Sequence, residues 1–144
     1  MISNEYEYLF SYGKEDFDDA SRIRQAVFVE EQGFENEFDE IDEQAYHLVI
    51  YKEQNPIGTG RMYLKNETTM ILGRIATVKD YRGQNIGSLI VKTLENKARQ
   101  LGYLTTELSA QQRAQGFYEK LGYQVEGAVY LDEWCPHVTM KKAL

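Results

Sequence analysis

The 144-residue chain has a formal charge of −7, 42% hydrophobic residues, 27% charged residues and two prolines, a balance that excludes disordered and fibrous classes and points to one globular domain, residues 1–144. A chain this long buries roughly 68–70% of the surface that it exposes when unfolded, enough for a core and a pocket. Its longest apolar runs, 26–29 and 48–51, fall far short of the ~18 residues of a membrane helix, and residues 1–7 lack the basic-then-apolar order of a secretory signal, so a cytoplasmic protein is expected.

Residues 5–12 (EYEYLFSY) alternate and are aromatic enough for a first strand. Asp16 is placed to cap a helix whose apolar face is Phe17, Ala20, Ile23, Val27 and Phe28, ending near Gly33. An acidic stretch follows as a loop or short second helix. Strands are expected at 45–52 and 57–64, separated by a turn at Asn55-Pro56, and after a turn near Asn66 a strand of mixed periodicity at 68–78. Ile86, Leu89, Ile90, Leu94, Ala98 and Leu101 recur at helical spacing, and Gly102 sits where a left-handed C-terminal residue belongs. A strand at 103–108, a helix at 111–121 stopped by Gly122, and strands at 123–130 and 137–141 complete the chain. Hairpins come first and helix–strand alternation later, which argues for an α/β chain with a mixed sheet covered by helices rather than a doubly wound parallel sheet.

The acidity is local. Between Gln25 and Tyr51 there is no Lys or Arg, while Glu30, Glu31, Glu35, Glu37, Asp39, Glu40, Asp42 and Glu43 give a charge of −8, leaving +1 for the remainder. Phosphate binding driven by cationic side chains is disfavoured, so neither nucleic acid nor an acidic membrane surface is expected as a partner. The segment reads either as a solvated loop or as a rim that attracts a cationic substrate. One Cys and two His give no metal-ligand cluster of the zinc type, and no metal is expected.

Residues 74–88 carry the most chemical information. A strand ending Arg74-Ile75-Ala76-Thr77 runs into Arg82-Gly83-Gln84-Asn85-Ile86-Gly87-Ser88, where the best helix starts. A helix start exposes unpaired N–H groups and the positive end of the dipole, so it holds phosphate without many cations. Gly83 and Gly87 allow close backbone approach, and Asn85 tolerates positive φ. The spacing fits neither GxxxxGK[ST] nor GxGxxG. It resembles the Q/R-x-x-G-x-G/A loop of the GCN5-related N-acetyltransferases (GNAT), with Asn85 in place of one glycine. Downstream, Ala114-Gln115-Gly116-Phe117-Tyr118-Glu119-Lys120-Leu121-Gly122-Tyr123 is similar to the A-x-x-F-Y-E-K-x-G-F segment of the same family, in the same order and at the usual separation. Residues 24–33 resemble one branch of it.

The resemblance implies a central, splayed, mostly antiparallel mixed sheet with helices on both faces and acetyl coenzyme A wedged in the splay. It implies that the backbone at Ile75, Ala76 and Thr77 meets the acetyl and pantetheine groups, and that Arg82, Gly83, Gln84, Asn85, Ile86, Gly87 and Ser88 hold the pyrophosphate. An Asn that contacts the cofactor in many members is replaced by Gln111. Tyr118 is the implied catalytic residue, its O–H placed to assist departure of the thiolate. For the base, Glu107, His137 or a carboxylate acting through water all remain open. His137 and His47 also admit purely structural roles, and Cys135 as an acyl-accepting nucleophile is disfavoured. The expected acceptor is a primary amine of a small molecule or peptide, cationic if the acidic segment forms its rim. A non-catalytic acyl-coenzyme A binding module is the alternative, and a homodimer is compatible with either.

Overall fold

The structure is a computed structural model, and residues 5–144 are described. Seven strands, β1 (Tyr6–Tyr12), β2 (Tyr46–Lys52), β3 (Asn55–Asn66), β4 (Thr69–Thr77), β5 (Thr105–Gln111), β6 (Gln124–Asp132) and β7 (Cys135–Ala143), form one sheet in the order β1-β2-β3-β4-β5-β7-β6. Every neighbouring pair is antiparallel except β4–β5, which is parallel. Its crossover contains α2 (Ile86–Gln100), the 15-residue helix that the apolar spacing predicts.

Strand alternation divides the core between two faces. Leu48 and Ile50 of β2 lie in one cluster with Ile86, Ile90 and Leu94 of α2; Val49, between them, lies in the other with Ala20, Ile23 and Val27. Helices therefore cover both faces. On β3, a Cβ at Gly58 would fall 2.9 Å from Ile90 Cδ1 and one at Gly60 2.8 Å from Ile90 Cγ2. These two glycines let α2 approach the sheet at the strand next to the split described below.

The local differences from the expected elements have physical causes. The β2–β3 turn is Glu53-Gln54, with φ of +50° and +70°, and not Asn55-Pro56. Asn55 already pairs with Lys52, and Pro56 is accommodated at a register irregularity beside Tyr51. Asp16 does not cap the first helix: it has φ +51° itself, and α1 (Asp18–Arg24) starts after Phe17 with no side-chain cap. That helix widens into a π-helical stretch over Gln25–Glu31, which keeps Val27 and Phe28 buried. The predicted helix at 111–121 shrinks to α3 (Gln115–Lys120), because Ala110 and Gln111 continue β5 by pairing with Val138 and His137. The acidic stretch ends in a 3-10 turn over Glu40–Gln44. Among the described residues no helix is long and apolar enough to cross a membrane.

Candidate active site

The sheet splits at its one parallel pair. β4 and β5 are paired only from Thr69↔Thr105 to Leu72↔Leu108, after which the strands part. At that point β4 bulges: Arg61 pairs with Gly73 but Thr59 pairs with Ala76, so two steps on β3 face three on β4. An extra residue bends and twists a strand. Here it turns β4 from β5 and leaves the edge of Ile75, Ala76 and Thr77 unpaired on that side. The split holds a cavity of about 680 Å³, lined by Ile75 and Leu108 from the two arms and by Tyr118, His137, Asp132 and Arg113 around them.

Tyr118 packs edge-on against Phe117 and Tyr123, at ring-centroid distances of 4.9 and 6.0 Å. Burial pushes its pKa up to about 12, so the phenol stays protonated at every physiological pH. Among the described residues its hydroxyl has no hydrogen-bond partner, whereas that of nearby Tyr123 is bonded to Thr106 and Glu95, each at 2.8 Å. Of the two, Tyr118 is the phenol with its donor unspent, and it lines the cavity.

The candidate bases separate clearly. Glu107 lies 2.7 Å from Lys65 and 3.6 Å from Lys141 and does not line the cavity. His47 is buried, its Nε2–H donates to the Asp42 carbonyl at 3.0 Å, and burial lowers its pKa, so it is a neutral structural histidine. His137, buried but lining the cavity, donates Nδ1–H to the Cys135 carbonyl at 2.9 Å. A carbonyl only accepts, so in the neutral ring this bond fixes the tautomer and puts the lone pair on Nε2, which has no protein partner among the described residues. Tyr130 stacks on the ring and Phe34 meets it edge-on. Cys135 is buried, and burial raises its pKa, the opposite of what a nucleophilic thiolate needs.

The predicted phosphate loop keeps the expected backbone. Gly83 and Asn85 are left-handed, at φ +83° and +63°. The first bond of α2 runs from Leu89 N–H to the Asn85 carbonyl at 3.1 Å, so the N–H groups of Ile86, Gly87 and Ser88 have no intrahelical acceptor. A Cβ on Gly87 would meet the Phe117 ring at 3.2 Å, which ties the loop to the helix carrying Tyr118. Arg82 is already engaged: its Nε–H donates to the Thr77 carbonyl, and both terminal nitrogens bond the Glu31 carboxylate at 2.7 and 2.8 Å. Arg82 holds that carboxylate below the ordinary range.

Sequence reasoning missed the ion network beneath the acidic segment. Arg24, 1% exposed, donates to Glu37 and Asp42; Arg61 to Asp39 and Asp42; Arg74 to Glu37 and Asp39. Three of the carboxylates read as solvated loop or substrate rim are thus neutralised internally by three arginines. The segment also straps the split: Arg74 and Arg82 tie it to the β4 arm, while a Gln111–Gln32 bond of 2.8 Å and the Glu133 carboxylate on the N–H groups of Glu35 and Asn36 tie it to the other. The available signal was the isolated arginines, 24, 61 and 74, at positions predicted to lie inside regular elements.

A mixed sheet opened at one parallel pair, with an unpaired strand edge leading to a bare helix start, defines an acyltransferase fold of the GNAT type. The family model for the acetyltransferase (GNAT) domain matches residues 11–144. Bacillus subtilis YyaT is 38% identical over 134 residues, covering 90% of each chain, and the B. subtilis uncharacterized N-acetyltransferase YjcF is 37% identical over 132, covering 90% of this chain and 94% of its own. A solved Lactobacillus plantarum structure designated an N-acetyltransferase is 36% identical, with a TM-score of 0.90 over 98% of this chain and 99% of that one. An aminoglycoside 6'-N-acetyltransferase complexed with coenzyme A shares the fold at 17% identity, with a TM-score of 0.75 over 94% and 96% of the two chains. The chain belongs to the GNAT acetyltransferase family.

Proposed function

We infer that the protein, as a single domain over residues 1–144, transfers an acetyl group from acetyl coenzyme A to a primary amine by direct attack within a ternary complex. The observation that carries this reading is the meeting, in one cavity, of the Ile75 edge of β4, the Tyr118 hydroxyl and Nε2 of His137, neither of which has a hydrogen-bond partner among the described residues. The pantetheine amides pair with the open edge at Ile75, Ala76 and Thr77, as a further strand would. The pyrophosphate accepts from the bare N–H groups of Ile86, Gly87 and Ser88, with Gly83, Gln84 and Asn85 shaping the loop.

Nε2 of His137 takes a proton from the cationic amine, and the neutral amine so formed attacks the thioester carbonyl, its nitrogen passing a second proton to water as the amide forms. The C–S bond breaks with its electron pair passing to sulfur. Tyr118, too weak an acid to protonate the thiolate fully, stabilises it by donating a hydrogen bond. Asp132, which has no ion-pair partner among the described residues, lines the cavity beside Glu133 and supports a cationic acceptor, a small molecule or a peptide amine.

Equilibrium binding of coenzyme A, combined with thiol release over a panel of amines, tests the reading. Binding with release supports it; binding with no release for any amine leaves a non-catalytic acyl-coenzyme A module; no binding removes both. Gly87→Val, which pushes on Phe117 and narrows the loop, is expected to weaken coenzyme A binding by more than about tenfold in calorimetry. Arg82→Ala should have a smaller, salt-dependent effect, and Glu31→Gln should tighten binding by freeing Arg82. His137→Asn keeps an N–H for the Cys135 carbonyl but removes the lone pair. Its kcat should fall about 10²-fold for strongly basic amines and far less for weakly basic amines, which are already neutral. An equal loss for both amine classes would remove His137 as the base.

A further inference from the structure

Arg74 stands in the middle of a strand with φ +51°. A long L side chain stays in the left-handed region only where its surroundings hold it there. Several contacts hold Arg74: its Nε and Nη2 donate to the Glu37 carbonyl at 3.1 and 2.9 Å, Nε lies 2.9 Å from Glu37 Oε2, and Nη2 lies 3.2 Å from Asp39 Oδ2. Glu37 and Asp39 are fixed in turn by Arg24 and Arg61. The residue so held is one of the two bulged residues of β4, Arg74 and Ile75, between the Gly73 and Ala76 pairings, and it leads directly into Ile75, Ala76 and Thr77.

We propose that Arg74 is a positioning residue: its guanidinium, gripped by Glu37 and Asp39 of the acidic segment, holds the left-handed bulge that opens the sheet and presents the β4 edge to acyl coenzyme A. This rests on the reading of that edge as the cofactor site. The acidic segment thus shapes the binding edge through Glu37 and Asp39, which line the same cavity and grip Arg74. Glycine occupies the left-handed region at no steric cost. A glycine at position 74 therefore needs no clamp, whereas alanine loses the clamp and keeps the strain.

The test compares R74G with R74A. R74A is expected to raise the Kd for coenzyme A and the KM for acetyl coenzyme A by about tenfold, while R74G stays within about threefold of the parent; kcat at saturating acetyl coenzyme A changes little in either. The apo-proteins provide a readout free of the cofactor: R74G should melt above R74A by about 3–5 °C. Asp39→Asn, which weakens the grip from the other side, should weaken coenzyme A binding in the parent and have little effect in the R74G background. Equal impairment of R74G and R74A in affinity and melting would show that the guanidinium acts by direct contact and overturn the proposal. Parent-like behaviour of both would overturn it too. A parent that binds no coenzyme A would sink the functional reading alone, since the melting comparison still judges the clamp.

Discussion

Tyr118→Phe is expected to lower kcat by about 10²-fold while the KM for acetyl coenzyme A stays nearly constant. Phenylalanine keeps the ring that packs against Phe117 and Tyr123, so helix and cofactor edge survive. The lost O–H acts only as thiolate forms, which places its effect on the transition state rather than on ground-state binding. The low end of the usual range for a lost donor is expected, because a thiol of pKa about 8.5 is already a good leaving group beside a phenol pushed up to about 12. Single-turnover measurement is needed so that slow product release does not mask the change. A full single-turnover rate at neutral pH would take Tyr118 out of the mechanism.

The largest effect on stability is expected at Asp42. Its carboxylate, 1% exposed, accepts from Arg24 at 2.8 and 3.1 Å and from Arg61 at 2.8 Å. Asp42→Ala leaves two buried guanidinium groups short of an anion, and breaking a buried pair in this way costs about 3–5 kcal/mol. Denaturant unfolding at neutral pH measures it; a loss below about 1 kcal/mol would show that the network is not a stability element. Burial alone would raise the Asp42 carboxyl, but hydrogen bonds and charge from Arg24 and Arg61 outweigh it and hold the pKa below the ordinary carboxylate range. The same balance holds Asp39 down against its burial, through Arg61 and Arg74. A depressed folded pKa gives stability that is complete above the unfolded value of about 3.9 and fades as pH falls through the folded value. The parent should therefore lose stability below about pH 4, and Asp42→Ala should show a shallower loss there.

The parts legible in the sequence are those fixed by local pattern. The apolar spacing from Ile86 to Leu101 gives α2 to within a residue of its end, and the loop motif and the Phe117-Tyr118 segment are the residues proposed for the two ends of the site. What stayed hidden depends on partners distant in the chain. The extension of β5 to Gln111 follows from pairing with β7, which no local signal announces. The acidic segment looks solvated because its three neutralising arginines come from α1, β3 and β4. Arg74 reads as an ordinary strand residue, and its left-handed backbone appears only once the register against β3 is known. His137 and Glu107 look equivalent as bases in the sequence. Lys65 and Lys141 on one, and the Cys135 carbonyl on the other, distinguish them.

In the proposed complex, acyl coenzyme A lies along the open edge of β4 and over the start of α2. Titrating the isotopically labelled protein with coenzyme A and following its backbone amide resonances tests this most directly. Saturable shifts are expected at Ile75, Ala76 and Thr77 and at Gly83 through Ser88, with Gly87→Val abolishing them at the same ligand concentrations. A rival groove of about 590 Å³ lies between β1 and α2, lined by Tyr8, Phe10, Lys92 and Lys97. Shifts confined to that groove, with the β4 edge unmoved, would place coenzyme A elsewhere and rule out the β4 edge as its site.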